Sequence, residues 1–262
     1  MSLRIATWNV NSLRQRLDHL DRLIETKAPD LLLLQETKLE DSIFPGDFFD
    51  ERGYRHRVIA GQKSYNGVAL LSRLPFEDES KRIWCDKDDK RHCSVRLAEG
   101  LEVHNFYVPS GGDKPDPAVN DKFAHKLQFL DEMAAWAGEA RDRSILIAGD
   151  FNVAPLENDV WNHKRLVRSV GHSPVESGKM ATLLEAGGFT DVGRHFVPMP
   201  EPLYTWWGYR FAQSYAKDYG WRLDHVWVTQ PLGPRVKAHE VFRETRTWEK
   251  PSDHVPVIVD IE

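Results

Sequence analysis

Residues 30–38 run Asp30-Leu31-Leu32-Leu33-Leu34-Gln35-Glu36-Thr37-Lys38, and the architecture follows from them. Four consecutive leucines cannot alternate between a core face and a wet face, so a strand over Asp30–Gln35 is covered on both sides. It then ends abruptly in amide, carboxylate and lysine. The pattern of a buried strand with a polar end recurs along the chain. Leu3–Trp8 runs into Asn9-Val10-Asn11, Leu101–Tyr107 closes on Asn105-Phe106-Tyr107, and Ser144–Ala148 runs into Gly149-Asp150-Phe151-Asn152. Further strands are expected at Tyr54–Ala60, Gly67–Ser72, His92–Leu97, Leu203–Trp207, Leu223–Thr229 and Val255–Ile261. Helical spacing marks Ser12–Lys27, with Leu13, Leu17, Leu20 and Ile24 on one side, and also Phe123–Ala140 and Val175–Ala186. Strands interspersed with helices predict an α/β fold in which two sheets pack face to face with helices outside.

Composition narrows the classes. At 262 residues, a chain can bury roughly three-quarters of its unfolded surface, enough for a core without metal or disulfide support. With no repeat, low-complexity tract or long Gly/Ser linker, one domain over 1–262 is expected. The formal charge of −5 excludes a partner held mainly by bulk positive charge, while leaving room for a local basic patch. Two cysteines, Cys85 and Cys93, cannot form a disulfide framework, and a reducing cytoplasm is expected. The four-leucine run falls far short of the ~20 apolar residues of a membrane span, and Trp8 and Asn9 interrupt any leader-like stretch.

Asn9, Glu36, Asp150, Asn152, Asp224 and Asp253 all stand at strand ends. Taken singly, each is an ordinary turn or cap residue. Together they would repel unless a cation neutralised them. Their donors are oxygens, which suit Mg²⁺, with Mn²⁺ as a substitute, and nothing has the Cys/His spacing of a zinc site. Mg²⁺ keeps positions for water and substrate phosphate, so the set points to phosphoryl chemistry. The same ends supply a phenol, Tyr107, and an imidazole, His254. Because neighbours on a strand face opposite sides, His254 is expected to pair with a residue other than Asp253, and Asp150 is the candidate.

These residues sit in stretches that resemble the exonuclease III family, the bacterial abasic-site endonuclease branch of the endonuclease/exonuclease/phosphatase superfamily. The stretches are Asn9–Arg14 (NVNSLR), Leu34–Lys38 (LQETK), Asn66–Ser72 (NGVALLS), Gly149–Asn152 (GDFN), Tyr204–Arg210 (YTWWGYR), Gly220–His225 (GWRLDH) and Glu249–Pro256 (EKPSDHVP). The resemblance implies a four-layered α/β sandwich and metal-dependent hydrolysis of DNA phosphodiesters at abasic sites, 3′ blocks and recessed 3′ ends of duplex DNA, by a monomer with no membrane attachment. It implies that Glu36 is the main metal carboxylate, with Asn9 beside it and Asp150, Asn152, Asp253 and His254 around the same centre. Asp150 would orient or deprotonate the attacking water, Asn152 would donate to the scissile phosphate, and Tyr107 would assist phosphate or leaving oxygen. Asp253 and His254 would be the orienting pair, and Asp224 would support the centre. Trp206, Trp221 and Leu223 resemble a pocket for a base-less sugar, which suits a nucleotide that costs little to unstack. One of Trp206, Trp207 and Trp221 is expected to be core instead.

Tyr107, within Asn105-Phe106-Tyr107-Val108-Pro109-Ser110-Gly111, points to the abasic-endonuclease branch. Phosphate contacts are expected from Arg14, Arg16, Lys38, Arg210 and the basic segment His163–Arg168. Two departures stand out. Ser12 occupies a position where many relatives have glycine. His172 precedes a helix start marked by Ser173, Pro174 and Glu176, where relatives that incise internally carry a small residue. An imidazole obstructing the groove there would favour 3′-terminal work over internal incision. The rival readings are a phosphatase of lipid or inositol head groups and a DNA-binding module without activity; the second predicts losses among Glu36, Asp150, Asn152, Asp253 and His254, and none is lost.

Overall fold

The computed structural model describes residues 2–211 and 213–262. Two mixed sheets form the centre of the molecule. From edge to edge, the first runs β11 (Val236–Val241), β12 (Val257–Ile261), β1 (Leu3–Asn9), β2 (Leu31–Gln35), β4 (Val68–Ser72) and β3 (His56–Ala60). The second runs β5 (Asp78–Ser80), β6 (His92–Arg96), β7 (Glu102–Tyr107), β8 (Ile145–Asp150), β10 (Asp224–Thr229) and β9 (Phe189–Asp191). Helices α1 (Leu17–Lys27) and α2 (Gly46–Asp50) cover the first sheet, and α3 (Asp121–Ala140) and α5 (Pro174–Ala186) cover the second. Two short helices, α4 (His163–Leu166) and α6 (Val192–Phe196), lie in the connections before and after α5.

The leucine run accounts for the layering. Leu31 and Leu33 point between the sheets, where they pack with Val68, Leu70, Val103, Leu146 and Val226. Leu32 and Leu34 point outward to Leu20, Leu23 and Ile24 of α1 and to Phe49 of α2. All four are fully buried, so truncating any one to alanine costs about 2–5 kcal/mol. On the opposite side Ile145, Ile147 and Phe106 meet Phe129, Leu130 and Met133 of α3 and Met180 and Leu183 of α5. This is the four-layered α/β sandwich. Deep between the sheets lies a polar bridge: Gln35 Nε2 donates to Asn105 Oδ1 at 2.7 Å, and Asn105 Nδ2 donates to the carbonyls of Leu34 and Ala69. Those two amides are therefore structural rather than available to a ligand.

Register brings the functional ends together. β1 and β2 are parallel with Asn9 opposite Gln35, so Glu36 emerges beside Asn9. β7 and β8 are parallel with Tyr107 opposite Asp150, and antiparallel β10 places Asp224 opposite Asp150.

Two expected elements differ. Leu203–Trp207 is not a strand; only isolated bridges join Trp206 to Trp221 and to His254, because this segment crosses the open rim rather than a ladder. Ser12–Lys27 is broken, with a 3₁₀ turn at Leu13–Gln15 before α1. Ser12 has φ 89°, a left-handed conformation that glycine adopts without strain and serine does not. The edge strand β11 buries only Val236 and interleaves Lys237, His239 and Glu240 with its apolar residues, so no hydrophobic run announces it.

Candidate active site

Five non-glycine residues at one rim of the sandwich, Asn11, Ser12, Glu36, Lys38 and Asn152, have positive φ. Backbone strain of this kind persists only where surrounding structure imposes it, and it gathers at functional sites. Here it follows strands β1, β2 and β8 as each turns sharply over the rim.

Asn9 is the hub. Its side-chain amide donates to Glu36 Oε1 at 3.0 Å and to Asp150 Oδ2 at 2.8 Å, so one nitrogen joins carboxylates from the two sheets. Tyr107 donates its phenol proton to the same Glu36 Oε1 at 2.8 Å, and Lys38 Nζ lies 2.9 Å from Oε2. Burial raises the Glu36 carboxyl, but the bond from Asn9 and the Lys38 charge outweigh it and hold the group below its ordinary value. Burial, with the Glu36 and Asp150 charges, pushes the Tyr107 phenol well above its ordinary value, so it stays a proton donor.

Asp150 is 1% exposed. Burial first, then the Asp224 and Glu36 carboxylates, raise its pKa above the carboxylate range, against the opposing charge of His254. Asp150 Oδ1 accepts the Asn152 backbone N–H at 2.9 Å. The Asn152 side-chain amide donates to Val108 O at 2.9 Å and to Asp150 Oδ2 at 3.2 Å, so both of its hydrogens are already engaged rather than free for a phosphate.

The expected pairing of His254 is corrected. His254 Nδ1 donates to Asp224 Oδ2 at 2.8 Å, whereas Nε2 stands 3.7 Å from Asp150 Oδ2. Asp224 is thus the orienting partner, and Asp150 faces the other ring nitrogen. Burial lowers the His254 pKa, but the Asp224 and Asp150 charges prevail and raise it, favouring the imidazolium. Asp253 does not orient the imidazole; it accepts from Asn11 Nδ2 at 3.0 Å and from Trp206 Nε1 at 2.9 Å. Adjacent residues at a strand start face opposite ways, so Asp253 and His254 cannot share a task by contact. Thr205, which no motif argument singled out, locks this arrangement: it donates to Asp224 Oδ2 at 2.6 Å and accepts from the Leu223 and Asp224 backbone N–H groups.

A divalent cation fits the donors present. Three carboxylates, Glu36, Asp150 and Asp224, are gathered here, and Asp224 Oδ1 is buried without a partner. Ligand atoms of Asp150, Asp224 and His254 lie within 4.8 Å of one another. Asp224 and His254 are committed to each other, however. Glu36 and Asp150, joined only through one neutral amide, are the carboxylates whose repulsion a cation would relieve.

Of the three tryptophans Trp207 is fully buried, while Trp206 and Trp221 are half-buried and pack edge to face with Leu223 beside them. Arg14 and Lys38 line an open groove with Tyr209 and Lys250. Arg210, Lys164, Arg165 and Arg168 are exposed. Arg16 borders the same groove, largely buried, and donates to Pro251 O and Tyr209. The capping box of Ser173 and Glu176 forms, with Pro174 in the first turn of α5. His172 does not project into the groove. It is 2% exposed, its Nδ1 donates to Ala154 O at 2.6 Å, and its Nε2 meets His163 Nδ1 at 2.8 Å. Because Ala154 O can only accept, His172 presents a lone pair to His163 and anchors α4 from beneath.

Residues 6–254 match the endonuclease/exonuclease/phosphatase family. Exodeoxyribonuclease III of Haemophilus influenzae is 32% identical, covering 97% of this chain and 98% of its own. Among solved structures, an AP endonuclease from Archaeoglobus fulgidus superposes with a TM-score of 0.92 at 35% identity, covering 99% of both chains. A 3′ phosphatase from Neisseria bound to product DNA hairpin gives 0.91 at 32% identity, again over 99% of both.

Proposed function

The chain belongs to the endonuclease/exonuclease/phosphatase family, and on that premise we propose that it is a DNA repair nuclease of exonuclease III type. It hydrolyses DNA phosphodiesters as a 3′–5′ exonuclease and 3′-end-processing enzyme and as an abasic-site endonuclease. The observation that carries the reading is the Asn9 amide joining Glu36 and Asp150 across the two sheets, with the Asp224–His254 pair beside them.

In the proposed mechanism, Asp150, buried and raised, orients an attacking water and draws its proton. Asp224 holds the His254 ring by Nδ1, leaving Nε2–H directed at the space beside Asp150 where the phosphate sits. Tyr107 keeps its proton and donates towards phosphate or the leaving 3′-oxygen. Glu36 and Asp150 would hold Mg²⁺, with Mn²⁺ as a substitute; when bound, such an ion supplies positive charge against the non-bridging oxygens. Asn9 serves by holding the two carboxylates, and Asn152 by holding Asp150. Trp206, Trp221 and Leu223 receive the base-less sugar, with Arg14, Lys38, Arg210 and the α4 basic residues along the duplex. The enzyme works as a monomer in the cytoplasm, a reading supported by two cysteines that are free and buried. Among the described residues, no helix is long and apolar enough to cross a membrane.

A bias towards 3′-terminal work belongs to the proposal. The buried His172 ring does not obstruct the groove, and the bias is referred instead to its hold, through His163, on α4. The test uses end-labelled duplexes carrying an internal abasic-site analogue, a recessed 3′-hydroxyl or a 3′-phosphate, assayed with Mg²⁺ and with EDTA. Metal-dependent turnover of all three, fastest at the 3′ ends, is expected. Turnover of soluble phosphoesters but not of DNA overturns the reading.

A further inference from the structure

The backbone around Trp221 is held by very little regular structure. Val160 and Trp206 each meet Trp221 through an isolated bridge, and the connection from Asn152 to His172 has no ladder of its own. A closed set of four charges lies beneath it. Arg222 points away from the rim, between Trp221 and Leu223, and is 1% exposed. Its Nη1 donates to Asp191 Oδ1 at 2.9 Å and Oδ2 at 2.8 Å, and its Nη2 donates to Asp159 Oδ2 at 3.0 Å. Asp159, fully buried, also accepts from Leu156 N at 3.0 Å and from Arg194 Nε at 3.2 Å. Arg194 in turn donates its backbone N–H to Asp191 Oδ1 at 3.1 Å and Nη1 to Glu201 O at 2.7 Å. The main chain repeats the link, with Arg222 N donating to Asp159 O at 2.8 Å.

Two guanidiniums and two carboxylates alternate along the series Arg194, Asp159, Arg222 and Asp191, so their charges cancel, and the Arg194 backbone N–H to Asp191 closes the ring. A buried ion pair of this sort adds little net stability over apolar residues of the same shape, because desolvation offsets the attraction. What it does supply is geometry: a planar fork accepts only one arrangement of its partners. The ring ties the start of the rim connection (Leu156, Asp159), the β9–α6 junction (Asp191, Arg194) and the segment leading into β10 (Arg222) into one frame. Trp221 and Leu223 flank the residue at its centre.

We propose that Arg222 and Asp159 are positioning residues for substrate choice, setting where the Trp221 and Leu223 wall stands and hence how well the site separates a base-less nucleotide from a normal one. This rests on the reading of Trp206, Trp221 and Leu223 as the sugar pocket. No contact between the charged ring and DNA is required.

The test is the ratio of affinities for a duplex with an internal abasic-site analogue and for an undamaged duplex, measured in EDTA so that neither is cut. A ratio is unmoved by loss of folded protein, which affects both substrates alike. Removing one partner alone changes the net charge of the network, so the main variant removes one charge of each sign, Asp159→Leu with Arg222→Met; Arg222→Lys keeps the charge without the fork. The paired variant is expected to lower the ratio about tenfold and Arg222→Lys by an intermediate amount, as for lost alignment rather than lost contact. Trp221→Ala is measured alongside. If Trp221→Ala collapses the ratio while the paired variant and Arg222→Lys leave it unchanged, the positioning role is wrong and the pocket stands. If Trp221→Ala leaves the ratio unchanged, the pocket reading fails and the positioning role falls with it.

Discussion

Asp224→Asn separates the charge of the His254 partner from its geometry. The outcome turns on which end of the new amide lies where Asp224 Oδ2 now lies. That oxygen accepts from His254 Nδ1 at 2.8 Å and from Thr205 Oγ1 at 2.6 Å. Thr205 accepts from two backbone N–H groups, so its own proton has nowhere else to go. Two donors therefore converge on one point, and asparagine must place its carbonyl oxygen there. His254 keeps its orientation and tautomer, and only the charge is lost. A charge-assisted bond is roughly twice as strong as a neutral one, a loss of about 1–1.5 kcal/mol. The lost attraction for imidazolium adds about 1–3 kcal/mol once burial of the pair is set against it. The sum, about 2–4.5 kcal/mol, corresponds to a fall in kcat of about 30- to 2000-fold. DNA affinity should change little, since Asp224 is 2% exposed. The assay is single-turnover cleavage of a recessed 3′-end duplex with Mg²⁺, alongside a binding isotherm. A folded Asp224→Asn enzyme within threefold of the parent would refute the reasoning.

Other expectations follow from the same coordinates. Glu36→Ala should abolish turnover, or raise the metal concentration needed for it, without lowering the unfolding temperature; activity retained in EDTA by the unaltered protein would end the metal reading. Lys126 and Glu176 form a fully buried ion pair that also holds Asn152 O and the Gly171 and Ser173 amides, so Glu176→Gln should cost about 3–5 kcal/mol by urea unfolding. Burial, then the Arg222 charge, push His225 down to about 4 from an ordinary 6.5. Below pH 6.5 the unfolded chain therefore takes up a proton that the folded chain refuses. About 2 kcal/mol of stability should vanish between pH 7 and pH 5, and His225→Gln should shrink that loss; equal urea midpoints at the two pH values for the parent would contradict it. His172→Gly should release α4 and raise internal abasic-site incision relative to 3′ trimming, an effect that an unchanged ratio would deny.

The amino-acid sequence alone carries the layering, because four adjacent leucines admit only a strand buried on both faces. It also carries the identity of the rim residues, since polar groups at the ends of buried strands have few structural reasons to recur. Pairings within the rim are not legible, because they depend on contacts between residues distant in the chain. Asp253 is beside His254 in the chain but faces Asn11 and Trp206, while Asp224, 30 residues away, holds the imidazole. Thr205 looks like any strand threonine until the rim bends its segment out of the ladder.

His172 shows the same division. Local rules correctly place it before the Ser173 cap, yet they say nothing of the Ala154 carbonyl and the His163 ring that turn its side chain inward. Arg222 lies in a recognisable stretch, but its partners Asp159 and Asp191 are 63 and 31 residues away. Side-chain chemistry and periodicity are local properties and can be read along the chain. Which donor meets which acceptor is settled only when register, crossover and burial bring the two sheets together, because a buried polar group takes whatever partner the packed chain leaves within reach.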